Sequence, residues 1–159
     1  MSFPEADSTG EETMDTHIER VRQFDKNTLG HLFKRAGEED ADLNPDFFED
    51  EKNILLVSHT EDKLSGFLWA HVLQNPGNQY PKMFLYSIDV FDEFRRQGIA
   101  SQLIEELKNI AQTYNCREMF LLTGKSNQAA MGLYRKTRGK VKNDAVFFIY
   151  DKDALEKLE

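Results

Sequence analysis

The run DEFRRQGIASQLIEELKNIA, residues 92–111, brings Arg95, Gly98 and Ala100 together at the spacing Arg-x-x-Gly-x-Ala. It lies where an apolar, strand-like segment gives way to a helix-like one. The first turn of a helix leaves backbone N–H groups without partners, and its aligned peptide dipoles make that end positive. Small residues let an anion approach those amides, so the turn has the chemistry of a pyrophosphate cradle. The plainer alternative is a loop closed by a helix-starting glycine. A Walker loop needs GxxxxGK followed by Ser or Thr, and a dinucleotide turn needs a glycine two residues before the second; neither is present. Just upstream, strand alternation over residues 83–90 predicts Phe84, Tyr86, Ile88 and Val90 on one face and Leu85, Ser87 and Asp89 on the other. Asp89 is thereby expected to aim a carboxylate out of a central strand.

Alternating elements are expected to position these groups. A short strand over residues 17–22 is followed by a helix over 27–37, with Leu29, Leu32, Phe33 and Ala36 at helical spacing behind a capping Asn27 or Thr28. A second short helix is expected near Pro45, Phe47 and Phe48. Residues 54–59 and 66–73 read as a hairpin around TEDKLS, with a bulge at Gly66. After the strand at 83–90 come a helix over 99–114, a strand over 118–122, a helix over 127–136 and a last strand over 145–150. Ile99, Leu103, Leu107, Ile110, Ala111 and Tyr114 form the apolar stripe of the 99–114 helix. The pattern predicts an α/β (α+β) fold, a mixed central sheet flanked by about four helices.

Together these residues resemble the GCN5-related N-acetyltransferase (GNAT) family over about residues 17–150. Arg95, Gly98 and Ala100 match its Q/R-x-x-G-x-G/A signature, and NQAAMGLY, residues 127–134, matches its N-x-x-A-x-x-L-Y helix. SIDVFDEFRRQGIA and LYRKTRGKVKNDAVFFIYDK are most similar to the gentamicin (aminoglycoside 3-N-) acetyltransferase type, with Arg138 standing where a glycine is usual. The turn after Tyr134 is therefore open to a different shape. The resemblance implies acetyl-CoA as co-substrate. It would be held by Ile88, Val90, Arg95, Arg96, Gln97, Gly98, Ile99, Ala100, Asn127, Ala130 and Lys136, with the pantetheine arm pairing like a strand along residues 88–90. Asn127 would touch the pantetheine, cap its helix, or do both. Tyr134 would protonate the leaving thiolate, and an N–H near Val90 would polarise the thioester carbonyl. The related enzymes carry an acid where this chain has Ser87, so the base is expected to be Asp89, directly or through water.

Charge is divided along the chain. Residues 38–51 (EEDADLNPDFFEDE) hold eight acids and no base, whereas residues 123–142 hold Lys125, Arg135, Lys136, Arg138, Lys140 and Lys142 and no acid. The basic part suits CoA phosphates. The acidic part suits a cationic amine acceptor such as an aminoglycoside or polyamine, or is a solvated loop. A peptide or protein amine is the alternative acceptor, and a non-catalytic CoA-binding module the alternative function. The net charge of -8 argues against duplex nucleic acid as the main partner. His31, His59 and His71 lack metal-ligand spacing, so no metal is expected, and His71 and Trp69 read first as structural strand residues near an acceptor cleft. The lone Cys116 fits a reducing, cytoplasmic setting. Residues 1–15 read as a disordered, polar extension with no membrane anchor, 16–152 as the domain and 153–159 as a tail. A homodimer through the C-terminal strand is the analogy for assembly.

Overall fold

The computed structural model describes residues 14–156; most of the extension expected over residues 1–15 and the last three residues of the tail lie outside it. Five strands form one sheet in the order β1 (Thr16–Val21), β2 (Asn53–Thr60), β3 (Lys63–Leu73), β4 (Lys82–Val90), β5 (Glu118–Phe120). The first four pair antiparallel and β5 joins β4 in parallel, so the sheet is mixed as expected. The helices are α1 (Lys26–Arg35), α2 (Ile99–Thr113), α3 (Gln128–Lys136) and the single turn α4 (Lys152–Leu155), with a 3₁₀ turn at Pro45–Phe48.

Helix α2 builds the main core. Its Ile99, Leu103, Ile104, Leu107 and Ala111 are buried, as are Ile54, Leu56, Leu68, Ala70, Met83 and Leu85 on the strands it packs across. Each fully buried leucine here stabilises by several kcal/mol; truncating Leu103 to Ala would cost about 2–5 kcal/mol. On the opposite face, α1 sets Phe33 against Phe67 and Trp69 at 6.2 Å between ring centres. Helix α1 begins one residue before the expected range because Asp25, rather than Asn27 or Thr28, is its cap. The Asp25 carboxylate accepts from the Asn27 and Thr28 amides at 2.9 and 3.0 Å.

One further expectation is met and two are corrected. The β2–β3 register shifts beside Gly66, as the glycine foretold, and a Cβ there would come within 2.7 Å of the Asp89 carbonyl oxygen. The regular alternation expected in β4, however, breaks. Trp69 pairs with Ser87 but the next residue, Ala70, pairs with Leu85, so Tyr86 is an extra, bulged residue. Phe84 and Tyr86 thus do not share a face with Ile88 and Val90, nor Leu85 with Ser87 and Asp89. The expected last strand is also absent: residues 145–150 join no ladder, and Val146, Phe147, Phe148, Ile149 and Tyr150 are 67–79% exposed. Its β-forming composition is real, but a strand needs a partner edge, and β5 is three residues long.

Candidate active site

The β4–β5 ladder contains only the pairs from Lys82–Glu118 to Phe84–Phe120. Beyond Phe84 the two strands part, and among the described residues no strand lies on the β5-side edge of residues 85–90. The open edge leads directly into the turn before α2. Gly98 caps that helix with φ of 79°, no side chain caps it, and nothing lies within 4 Å of where a Gly98 Cβ would be. Conformation therefore calls for glycine here, and the space in front of it is vacant. Unpaired strand edge and uncapped helix end together form a continuous row of backbone groups available to a ligand.

The two arginines of the turn separate in role. Arg95 folds back: its Nε donates to the Val90 carbonyl at 2.9 Å, and its guanidinium lies 2.9 Å from Asp92 and 3.6 Å from Asp89. Arg96 is exposed, lies in the left-handed region with φ of 62° and makes no ion pair among the described residues. Ser87 and Asp89 do lie on one face, and the register places that face with Trp69 and Phe67, on the α1 side. The Asp89 carboxylate is partly exposed and lines a 700 Å³ cleft with His31, Lys34, Arg35, Glu39 and Arg95.

On α3, Asn127 is the N-cap, its Oδ1 accepting from the Ala130 amide at 3.1 Å. Of its two expected roles the capping one is thus filled. Lys136 and Arg135 occupy the last turn of α3, where cations offset the helix dipole. Tyr134 is half-buried against the core, and burial pushes its phenol above the ordinary value of 10. At neutral pH it holds its proton, as a general acid must. Its hydroxyl makes no hydrogen bond among the described residues.

A second cavity, 390 Å³, opens on the α1 side of the sheet. Leu29, Phe33, Phe47, Phe48 and Trp69 form its walls, and Glu38 and Asp42 from the acidic segment line it too. Trp69 in turn stacks on the bulged Tyr86 at 5.7 Å. The cavity wall and the bulge at the head of the open strand edge are thus in contact. His71, expected first as a structural strand residue near an acceptor cleft, packs edge-on against both Phe47 and Tyr86 at 5.9 and 6.0 Å. Its Nδ1 lies 2.8 Å from Asn53 Oδ1, and burial lowers its pKa below 6.5. The hairpin turn at 61–62 makes Asn53 and His71 near-partners in sequence arithmetic; the one-residue shift at Gly66 brings them into register. Among the described residues no group of three or more His, Cys, Asp or Glu side chains could hold a metal, and no helix is long and apolar enough to cross a membrane.

Residues 18–139 match the acetyltransferase (GNAT) family, and the chain belongs to that family. Human N-acetyltransferase 8 is 26% identical over 110 residues, 69% of this chain and 48% of the relative. The chain thus spans about half the length of that curated relative. An aminoglycoside acetyltransferase from an uncultured soil metagenomic sample, solved with sisomicin, superposes with a TM-score of 0.74 at 22% identity, covering 86% of this chain and 95% of the other. The aminoglycoside N-acetyltransferase AAC(6')-Iy, solved with CoA, gives a TM-score of 0.65 at 22% identity over 86% and 99% of the two chains. At these identities the likeness establishes the fold.

Proposed function

We propose that this protein transfers the acetyl group of acetyl-CoA to a primary amine carried by a small, apolar cation. The observation that carries the reading is the unpaired edge of residues 85–90 running into the uncapped, glycine-fronted N-terminus of α2. A pantetheine arm would extend along the former as a surrogate strand, and the pyrophosphate would sit on the latter. Gln97, Ile99 and Ala100 would present their backbone there, and Arg96 its charge. Across the parted strands, the basic segment of residues 123–142 would meet the remaining phosphate. Backbone N–H near Val90 would polarise the thioester carbonyl, and Tyr134 would give its proton to the departing thiolate.

The acceptor is read from the 390 Å³ cavity. Its aromatic and aliphatic walls favour an apolar substituent, and Glu38 and Asp42 attract a cation. This narrows the expectation from the resemblance, since a polyhydroxylated aminoglycoside would leave its hydroxyls facing apolar carbon. A peptide N-terminus with an apolar first side chain fits the same walls and is the second reading. A third, a CoA-binding module without turnover, follows if Ser87 marks a lost base. Acetyl-CoA is expected to raise Tm under all three. Replacing Gly98 by Ala is expected to cost about 1–2 kcal/mol of stability through its left-handed φ. The same variant should also weaken CoA binding, measured by calorimetry; unchanged affinity would remove the pyrophosphate seat from that helix end.

A further inference from the structure

We infer that His71 is the base that takes the proton from the acceptor ammonium, with Asn53 as the residue that positions it. The inference rests on the acetyl transfer proposed above and assigns to His71 the role that sequence reasoning gave to Asp89.

The hydrogen-bond chain sets the tautomer. Asn53 Nδ2 donates to the Phe47 carbonyl at 3.0 Å, which identifies the other amide atom, Oδ1, as the acceptor facing His71. An acceptor oxygen 2.8 Å from Nδ1 requires that Nδ1 carry the hydrogen. In the neutral ring the lone pair is then on Nε2. That nitrogen makes no hydrogen bond among the described residues, and no buried, unpaired side-chain nitrogen or oxygen is found among them, so Nε2 reaches solvent space. The backbone relay Phe47 carbonyl, Asn53 amide, His71 ring has the form of a base with its orienting partner.

Position agrees with the role. His71 pairs across the β3–β4 ladder with Phe84, the last β4 residue that also pairs with β5. It therefore stands at the closed end of the V in which the strands part. Residues 85–90 give about 20 Å of open strand at ~3.3 Å per residue, so an arm entering from the α2 turn would bring its thioester toward this vertex. His71 also touches Phe47 and Tyr86, and Phe47 lines the apolar cavity. Asp89, by contrast, lies at the far end of the open edge with its carboxylate 3.6 Å from the Arg95 guanidinium.

The surroundings keep the imidazole neutral near pH 7. From β2 it faces Asn53, next to Lys52, whose ammonium is 3.8 Å from Asp50. From β4 come Phe84 and the Tyr86 phenol, and from the 3₁₀ turn Phe47, with Asp46 before it and Glu49 closing the turn. Burial alone accounts for the lowered pKa, with no contribution from any of these charges. In the reaction, the acceptor ammonium gives one proton to Nε2, forming imidazolium. The freed nitrogen lone pair bonds to the thioester carbon, and the carbon–sulfur bond breaks with its electron pair leaving on sulfur. The thiolate takes a proton from Tyr134. The second proton shed by nitrogen as the amide forms passes to Tyr134 to restore it, and the imidazolium proton goes to solvent.

The experiment is the pH dependence of kcat at saturating acetyl-CoA and amine, for the parent protein and for His71→Gln, Asn53→Asp and Asp89→Asn, each checked for folding by its Tm shift with CoA. In the parent, kcat is expected to fall on the acid side with a midpoint below 6.5. His71→Gln should lose that limb and about 10²–10⁴-fold in kcat. Asn53→Asp should move the limb to higher pH by about one unit or more, because a carboxylate at Nδ1 stabilises imidazolium; a purely structural asparagine would leave the limb in place. Asp89→Asn should keep it. An unchanged limb in His71→Gln or in Asn53→Asp, or its loss in Asp89→Asn, overturns the assignment while acetyl transfer stands. Absence of turnover in the parent with every amine overturns both.

Discussion

Tyr134 and His71 owe their protonation states to the same cause acting on opposite kinds of group. Partial burial disfavours charge, so it raises the phenol and lowers the imidazole. One is left a proton donor and the other a proton acceptor at neutral pH. For Tyr134 the sign gives a direct expectation: any alkaline fall in kcat from this group should have its midpoint above pH 10. Tyr134→Phe should lower kcat by about 10²-fold or more with acetyl-CoA affinity largely retained. Equal kcat in the two proteins, measured by stopped thiol assays across pH, would remove Tyr134 from the chemistry. At this scale the sequence was informative about helix starts. Gly98 reads as a helix-starting glycine and Asn127 as a helix cap, a pantetheine contact or both, and each stands at the cap of its helix. It was uninformative for His71, because nothing in the string HVL shows that its ring nitrogen faces Asn53. That contact joins residues eighteen apart in the chain and depends on the register shift that lies between them, beside Ser58 and Gly66.

Among the elements, the end of α3 shows how a departure from expectation was absorbed. Gly139 donates to the Tyr134 carbonyl at 2.7 Å and Arg138 to that of Arg135 at 3.0 Å, a Schellman closure with Arg138 in the left-handed position at φ of 71°. The turn keeps the shape a glycine would give it, at a cost in strain. Arg138→Gly is therefore expected to stabilise the fold by about 1 kcal/mol, raising Tm by roughly 2–4 °C. A lower Tm in calorimetry would show that Arg138 contributes through its side chain, which lies 4.0 Å from Glu105. Strands β2 and β3 and helix α2 were legible because apolar periodicity and turn residues agree there. The β4 bulge was not, since Phe84, Tyr86, Ile88 and Val90 read as one unbroken face. Only the pairing with β3 reveals Tyr86 as the extra residue, and with it the break that starts the open edge. The run at 145–150 was misread for the converse reason: its composition favours a strand, but pairing is a property of two segments.

For the molecule as a whole, the charge asymmetry of the sequence is kept as the fold is laid out. Acidic residues 38–51 contribute Glu38 and Asp42 to the apolar cavity, while basic residues 123–142 carry α3, which packs beside α2. Five consecutive large apolar residues, 146–150, stand exposed, and β5 is a sheet edge. An exposed apolar run beside an open sheet edge favours association. We propose that this segment pairs with a second copy of the chain. Sedimentation should then show a dimer that Phe148→Lys converts to monomer, whereas a monomeric parent would oppose it. Acetyl transfer itself is tested most directly by measuring free CoA thiol and acetylated amine together, from acetyl-CoA and a panel of arylalkylamines, polyamines, aminoglycosides and peptides. Equal molar release and acetylation, fastest with the apolar amines, is the expected result. A CoA-dependent rise in Tm with no thiol release from any amine would contradict it and leave a binding module.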